Sequence, residues 1–316
     1  MPLAIGVDIG GTKVLAGVVD DEGVILARDR APTPRADAAA TEAVIARLVA
    51  SLRETFPGAV GVGVGAAAWL GPDRSTVLFS PHLAWRNVRI REALAAVLPL
   101  PVCVENDANA AAWGEFRFGG GRGLDSICCL TIGTGLGGGL VLDGRLYRGA
   151  GGMAGEPGHM TLVPGGRLCA CGKSGCWEMY ASGRALARDA QQLATESPAA
   201  AAAMLARAGS IADLDGPVVT AAAADGDPAA QAICAAMGRW LGRGMANVAA
   251  LVDPAVFLVG GGVSAAGEML LAPAREELDA EMPGRLYRPA PLVRQATLGA
   301  DAGLIGAADL ARVEFS

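Results

Sequence analysis

The first thirty residues alternate between apolar runs and short polar breaks, which is the pattern of a β-meander. Strands are predicted for LAIGVDI, VLAGVVD and VILARDR, and tight turns for GGTK and DDEG. The same order recurs over residues 127–148, where ICCLTI, the turn GTGLGGG, LVLDG and RLYRG follow one another. The recurrence of this meander further along the chain predicts a duplicated lobe.

Helical spacing of apolar residues marks the segments between and after the meanders. Val44, Leu48 and Leu52 recur at this spacing within residues 37–56, which predicts a helix there. Further helices are predicted over 87–98, 107–118, 180–194, 198–208, 228–252 and 301–313. Apolar strands are predicted at AVGVGVG, PVCVEND, AVFLVGGG and PLVRQATL. Strands that alternate with helices indicate an α/β fold, and the two meanders make its sheets mixed.

Composition narrows the possible classes of protein. At 316 residues the chain is long for one domain, so two lobes or domains are expected. Apolar residues make up 52% and charged residues 18%, which excludes a disordered chain. A net charge of −6 argues against nucleic-acid and anionic-membrane partners. Neither a membrane-spanning run nor a signal peptide is recognisable, so a cytoplasmic location is expected.

The two glycine-threonine turns, GGTK and GTGLGGG, are candidates for a phosphate-binding site. Each turn would present backbone N–H groups and a hydroxyl without side chains that block close approach. Together they could hold the phosphates of one nucleotide, and Asp8, just before the first turn, suits a hydrated Mg²⁺ ion. The alternative is that these are ordinary hairpin glycines.

Two more familiar nucleotide motifs are absent in spite of partial matches. GTGLGG has dinucleotide-type spacing, but a strand follows it where that motif requires a helix. Residues 6–13 have the spacing of a phosphate-binding P-loop but read Gly-Thr-Lys where the motif needs Gly-Lys-Ser/Thr.

Soft metal ligands are concentrated in residues 158–178, GHMTLVPGGRLCACGKSGCWE. His159, Cys169, Cys171 and Cys176 form a Cys₃His set, which suits tetrahedral Zn²⁺ with no open position. A Cys169–Cys171 disulfide would close an unfavourably small ring, and the cytoplasm is reducing. CACGKSGC alone could also belong to a nucleic-acid-binding zinc module, although the acidic charge weighs against this.

The other four cysteines and the other histidine are not part of this ligand set. Cys103, Cys128, Cys129 and Cys234 lie in apolar surroundings and are predicted to be buried apolar residues. His82 is predicted to be a structural or surface histidine.

Six ordered segments of the chain resemble the signature segments of the ROK family of sugar kinases and related transcriptional repressors. They are IGVDIGGTK, ENDANAAAWGE, TIGTGLGGG, GEPGH, CACGKSGCWE and LVGGGVS. The resemblance implies the actin-like, ribonuclease-H-like fold, with ATP in a cleft between two lobes. It places the small lobe at residues 1–116 plus 301–316 and the large, zinc-carrying lobe at 117–300. It also implies transfer of the γ-phosphate to a hexose, and ENDANAAAWGE and GCWEMYASGRAL most resemble the family's ATP-dependent glucokinases.

The resemblance also assigns roles by position. Asp107 matches the catalytic base, for which helix N-capping is the alternative role. The sugar-binding positions are Asn106, Asp107, Glu156, His159 and Glu178. The nucleotide-binding positions are Asp8, Gly10, Gly11, Thr12, Lys13, Thr131, Gly133, Thr134, Gly135, Gly260, Gly261 and Gly262. The implied cofactors are ATP, Mg²⁺ and a structural Zn²⁺ held by His159, Cys169, Cys171 and Cys176, which would keep the sugar-binding loop in shape.

Several alternatives remain open at this stage. The hexose could be glucose, fructose, mannose or an N-acetyl amino sugar, and the phosphoryl donor could be ATP or polyphosphate. A sugar-responsive repressor of the same family would carry a basic winged-helix segment first, whereas here the first strand begins at Leu3. A homo-oligomer, dimer or tetramer, is expected from the family.

Ala68 stands where the family's glucokinases usually have glycine, and alanine would be strained there if that backbone needs a positive φ.

Overall fold

The computed structural model describes residues 2–316 as an α/β protein with three sheets. Its strands are β1 Leu3–Ile9, β2 Lys13–Val19, β3 Ile25–Pro32, β4 Ala59–Ala66, β5 Trp69–Leu70, β6 Thr76–Phe79, β7 Arg86–Arg89, β8 Val102–Asn106, β9 Ile127–Ile132, β10 Leu136–Leu142, β11 Arg145–Tyr147, β12 Val256–Gly260 and β13 Leu292–Gln295. Its α-helices are α1 Ala38–Thr55, α2 Ile90–Val97, α3 Asp107–Phe118, α4 Gly183–Glu196, α5 Ala202–Ala208, α6 Gly216–Ala224, α7 Pro228–Val252, α8 Glu268–Glu281 and α9 Ala302–Phe315.

The first sheet has the strand order β3-β2-β1-β4-β8. The meander β1–β3 is antiparallel, whereas β4 pairs in parallel with β1 on one side and with β8 on the other. The register places Asp8 opposite Gly65, and Ala66 opposite Asn106. The carboxyl ends of β1 and β8 therefore meet at the same edge of the sheet, which is where such sheets bind ligands.

The second sheet has the order β11-β10-β9-β12-β13. Its β10–β11 pair is antiparallel and its β12–β13 pair is parallel, so this sheet is mixed like the first. The predicted recurrence of strand, glycine turn, strand, turn and strand is confirmed at β9–β11.

Close contact between α9, the first sheet and α3 depends on glycine. A Cβ atom at Gly63 of β4 would overlap the carbonyl group of Ala307, and one at Gly306 would overlap the carbonyl group of Ala110 in α3. On the other face, an apolar core that includes Ile5, Val7 and Leu48 packs the sheet against α1. The backbone of α9 thus lies directly on β4, and α3 lies directly on α9.

Some elements differ from their predictions. The helix predicted over 87–98 begins only at Ile90, because Arg86–Arg89 form a strand of a small sheet, β5-β6-β7, that was not predicted. The helix predicted from Tyr180 begins at Gly183, where the Ser182 hydroxyl accepts the capping N–H of Ala185. Helix α6, which begins after the capping residue Asp215, was missed.

The chain forms two compact units. The first consists of the residues up to Cys129, Gly139–Gly155 and Thr297–Ser316, and the second of Leu130–Gly138 and Glu156–Ala296. The lobe boundaries implied by the resemblance, at 116/117 and 300/301, stay a prediction. No helix within residues 2–316 has both the length and the hydropathy that crossing a bilayer requires.

Candidate active site

Asp107 is the first residue of α3 and lies at the carboxyl-end edge of the first sheet. The helix is capped by its neighbour, since the Asn106 side-chain oxygen accepts the N–H of Asn109 at 3.0 Å. Capping therefore does not explain Asp107. Its Oδ1 accepts hydrogen bonds from Ala108 N–H at 2.9 Å and Asn106 Nδ2 at 3.1 Å, while within residues 2–316 no hydrogen bond reaches Oδ2.

Asn106 connects this site to the β4–β5 segment. Its Nδ2 also donates to the carbonyl oxygen of Ala68 at 3.2 Å. Ala68 is buried and is not among the described residues with a positive φ, so alanine causes no backbone strain at this position. The departure from glycine thus leaves intact the backbone that supports Asn106.

Asp8, at the end of β1, is the second carboxylate at this edge. Burial, and then the charge of Asp107, raise the pKa of Asp8 from 3.8 to about 7, and Lys13 opposes this shift. Burial also raises the pKa of Asp107. A Cβ atom at Gly303, in the first turn of α9, would lie 3.4 Å from the Asp8 carboxyl carbon, so that glycine leaves room for the carboxylate. The Asp8 carboxylate at this edge suits a hydrated Mg²⁺ ion, which binds few carboxylates and keeps its waters.

The first glycine turn, Gly10–Lys13, joins β1 to β2 beside Asp8. Gly10 N–H donates to the Lys13 carbonyl at 3.0 Å, and the Thr33 hydroxyl donates to the Gly10 carbonyl at 2.8 Å. A Cβ atom at Gly11 would lie 3.6 Å from His82. His82 is exposed, as predicted for a surface histidine, but its place beside this turn was not foreseen.

The second glycine turn, Gly133–Gly135, joins β9 to β10 and is fixed by the start of α4. Gly183 N–H donates to the Gly133 carbonyl at 2.8 Å. The Thr134 carbonyl accepts from the Arg184 backbone N–H at 3.4 Å and from its Nε at 3.2 Å. Gly133 and Thr134 remain exposed, so the turn is open to a ligand.

Gly260–Gly262 follow β12 beside the end of β9. Gly261 has a φ of +83°, and a Cβ atom there would lie 2.5 Å from the carbonyl oxygen of Ile132. Glycine is therefore required at this position for two independent reasons. The third predicted nucleotide segment thus lies beside the end of β9, the strand that contains Thr131 and leads into the second glycine turn.

The four predicted metal ligands come together as expected. The ligand atoms of His159, Cys169, Cys171 and Cys176 all lie within 4.8 Å of one another. Two isolated β-bridges bring the four residues together. Isolated bridges join Thr161 to Cys176 and Leu168 to Ser174, and Gly175 has a φ of +83°, a conformation that glycine adopts readily.

The spacing of these atoms fits zinc. Cys171 Sγ lies 3.6 Å from Cys176 Sγ, and Cys169 Sγ lies 3.7 Å from His159 Nδ1. Tetrahedral zinc with Zn–S of about 2.3 Å and Zn–N of about 2.0 Å would separate its ligands by about 3.5–3.8 Å. Burial raises the pKa of the Cys169 thiol, so a metal ion would have to displace its proton.

Glu178 lies between this cluster and the second glycine turn. It is buried, and its Oε1 lies 3.0 Å from Cys169 Sγ, 3.5 Å from Arg184 Nη2 and 3.9 Å from His159 Nδ1. A Cβ atom at Gly135 would lie 2.6 Å from Oε2, so glycine at that position allows the approach. Glu156 precedes the short 3₁₀ helix Pro157–His159, and its carbonyl accepts the His159 N–H at 3.1 Å.

Each compact unit thus gathers its own part of the predicted site. Asp8, Gly10–Lys13, Asn106 and Asp107 belong to the first unit. The second unit contains Thr131, Gly133–Gly135, Glu156, the metal cluster, Glu178 and Gly260–Gly262. Sequence reasoning missed Arg184, which contacts both the second turn and Glu178, because no spacing rule relates it to either.

The whole chain is similar to proteins of one family. The profile of the ROK family matches residues 4–314. The glucokinase of Streptomyces coelicolor is 48% identical over 313 residues, which cover 99% of this chain and 98% of the relative.

Solved structures agree with this likeness. The structure of a ROK family glucokinase from Streptomyces griseus in complex with glucose and AMPPNP superposes with a TM-score of 0.88 and 48% identity, over 98% of this chain and 99% of the other. A ROK hexokinase from Thermus thermophilus gives a TM-score of 0.81 and 35% identity, over 99% and 98% of the two chains.

Proposed function

This chain belongs to the ROK family, and we propose that it transfers the γ-phosphate of ATP to glucose, giving glucose 6-phosphate and ADP. The observation that carries this proposal is the full-length likeness to a glucokinase whose structure contains both glucose and an ATP analogue. Its fold is the actin-like ATPase fold of those relatives.

We propose Asp107 as the general base. Its Oδ2 accepts no hydrogen bond from residues 2–316, so it can take the proton of the sugar's primary hydroxyl group while Oδ1 stays held. The hydroxyl oxygen then attacks the γ-phosphorus atom, the bond to the bridging oxygen breaks, and ADP leaves. A positioned base contributes about 10²–10⁴ in rate, and the remaining barrier is lowered by positioning of the reactants.

The two glycine turns and Gly260–Gly262 would hold the nucleotide through backbone N–H groups, and Thr12 and Thr134 add hydroxyl groups. Mg²⁺ bound with the nucleotide would neutralise phosphate charge, and Asp8 would be the carboxylate that orients it. Asn106, Glu156 and Glu178 offer amide and carboxylate groups suited to the hydroxyl groups of a pyranose.

We also propose that the cluster binds a structural zinc ion through His159, Cys169, Cys171 and Cys176. All four positions of a tetrahedral site would be filled, which leaves none for substrate. The four ligands cross-link residues 159–176, and Glu178 follows two residues after the last of them. Zinc would therefore act on sugar binding by holding this segment in shape, and one zinc per chain is the expected content.

A cytoplasmic location and a homo-oligomeric state complete the proposal. Light scattering coupled to gel filtration tests the second, since the chain mass is 31.8 kDa and a dimer would have twice that mass.

The test follows ADP release with Mg-ATP against glucose, mannose, fructose, N-acetylglucosamine and N-acetylmannosamine. We expect turnover with glucose, and Asp107→Asn should lower kcat at least 100-fold while the glucose Kd stays similar. Polyphosphate in place of ATP tests the donor.

Each other outcome excludes part of the proposal. Turnover of another hexose in place of glucose would overturn the sugar assignment and keep the reaction. Sugar binding without turnover, by a folded protein that contains zinc, would indicate a sugar-sensing regulator.

A further inference from the structure

Arg184 bridges two parts of the candidate site that the sequence motifs treat separately. Its Nε donates to the Thr134 carbonyl of the second glycine turn at 3.2 Å, and its Nη2 lies 3.5 Å from Glu178 Oε1. One guanidinium group thus contacts a nucleotide segment and a sugar-binding carboxylate. Both contacts lie within the second compact unit.

The bridge is anchored at both ends. Arg184 is the second residue of α4, and its backbone N–H also bonds to Thr134, next to the bond from Gly183 to Gly133. At the other end Glu178 is only 8% exposed, so protein atoms surround most of its side chain. The guanidinium itself is 51% exposed, which leaves its outer face open to solvent.

Arg184 carries the positive charge that pairs with the Glu178 carboxylate. Within residues 2–316, Arg184 is the only arginine or lysine that forms an ion pair with this carboxylate. Cys169 Sγ also lies 3.0 Å from Glu178 Oε1 but carries no positive charge. Arg184 therefore supplies the positive charge opposite this carboxylate.

We propose that Arg184 is a positioning residue that couples sugar binding to nucleotide binding, by fixing Glu178 and the Gly133–Gly135 turn to each other. This inference rests on the proposed function of those two segments. Phosphates at the turn would order Thr134 and hence the guanidinium, which in turn orients Glu178 for the sugar. By thermodynamic reciprocity the sugar must favour nucleotide binding to the same extent.

The test measures the Kd of glucose by calorimetry, with and without Mg-AMPPNP, for the zinc-loaded protein and its variants. In the wild type we expect AMPPNP to tighten glucose binding at least about fivefold, the lower end of usual couplings. Arg184→Gln should weaken glucose binding by up to about fivefold, as for loss of a half-exposed ion pair, and should abolish the effect of AMPPNP.

Arg184→Lys tests whether the coupling requires the two contacts of the guanidinium group or only its positive charge. Lysine keeps the positive charge, but its single ammonium group replaces a fork whose Nε and Nη2 reach two partners. We therefore expect Arg184→Lys to recover part of the glucose affinity and none of the coupling. Arg239→Gln, at an exposed arginine on α7 in the same compact unit, serves as the matched control and should behave like the wild type.

The outcomes are distinguishable from failure of the proposed function. A wild type that binds neither glucose nor AMPPNP overturns the proposed function itself. Binding of both ligands with no coupling in the wild type, or with the same coupling in Arg184→Gln, overturns the inference alone. Zinc content and thermal unfolding, measured for each variant, show whether Arg184→Gln is folded. If it is not, Arg184→Lys decides, since full coupling in that variant overturns the bridging role.

Discussion

Asp8 and Asp107 are two acidic residues at one sheet edge, and the charge of Asp107 disfavours a charge on Asp8. Lys13 only partly opposes the rise of the Asp8 pKa to about 7. The free enzyme therefore holds a proton that a solvated aspartate would release. This arrangement lowers stability at neutral pH and suits a site that receives a cation with its substrate.

The stability of the metal-free protein should fall as the pH rises from 5 to 7. The pKa of Asp8 is 3.8 in an ordinary environment and about 7 in the native state. Between these values the native state keeps the proton and the unfolded state has lost it, so the stabilisation present below pH 3.8 is lost as the pH approaches 7. We expect the free energy of unfolding in urea to fall by about 1–3 kcal/mol over this window.

Asp8→Asn should remove most of this fall of the free energy of unfolding with pH, because asparagine does not titrate. Asp125→Asn, at an exposed aspartate in the same compact unit, is the control and should keep the wild-type slope. An Asp8→Asn slope equal to that of the wild type would show that other groups, such as Asp107, cause the pH dependence.

Which site residues a sequence reveals depends on whether a local pattern marks them. Asp8, Asp107 and the glycine turns lie in short motifs, so each can be recognised in place. Arg184 is 50 residues from Thr134, and His82 is remote from Gly11. Their proximity depends on how helices and loops pack, which the pattern of apolar positions does not specify.

Among the elements, the loop over residues 156–178 is the least regular, and it carries much of the predicted chemistry. Between its two short 3₁₀ helices it contains only isolated bridges and backbone turns. A segment with so few regular hydrogen bonds would gain rigidity from a metal ion held by the four clustered side chains. Its ligand set could be predicted because cysteine and histidine spacing reports on coordination directly.

Cys176→Ser should lower the zinc content and raise the KM for glucose, while the KM for ATP changes little. Cys176 is one of the four proposed ligands, so its loss would leave the proposed zinc ion, close to Glu178, with three. Mutation of groups that support a metal site costs about 10–100-fold in affinity or activity, so we expect at least a tenfold rise in the KM for glucose. Elemental analysis and steady-state kinetics measure the two effects.

Cys234→Ala is the matched control for this change. Cys234 is buried in α7, outside the cluster, so the variant should keep its zinc and its glucose KM. A zinc-free Cys176→Ser enzyme with wild-type glucose KM would contradict the proposed role of the metal in sugar binding.

At the scale of the whole molecule, the repeated meander was the feature most accessible from sequence. Strands β1–β3 and β9–β11 follow the alternation of apolar runs and glycine turns, because each strand is bounded by residues that favour turns. The small β5-β6-β7 sheet was not predictable, since β5 has only two residues and Asn87 of β7 has a φ of +52°. Strand order could not be predicted from the pattern of apolar positions either, because it depends on which strands pair.

Glucose should stabilise the whole folded chain against unfolding. A ligand that binds only the native state stabilises it, and at one hundred times its Kd the gain is about 2.7 kcal/mol. We expect glucose to raise the free energy of unfolding in urea by this amount. Tryptophan fluorescence reports on both compact units, because Trp85 and Trp113 lie in the first and Trp177 and Trp240 in the second.

Circular dichroism recorded beside the fluorescence tests whether the transition is two-state, which the calculation requires. A hexose for which calorimetry detects no binding is the control and should leave the midpoint unchanged. If glucose leaves it unchanged while Mg-AMPPNP raises it, nucleotide binding stands and the sugar assignment is wrong. If both ligands raise it, the excess of their joint effect over the sum of the separate effects gives the coupling energy, which Arg184→Gln should abolish.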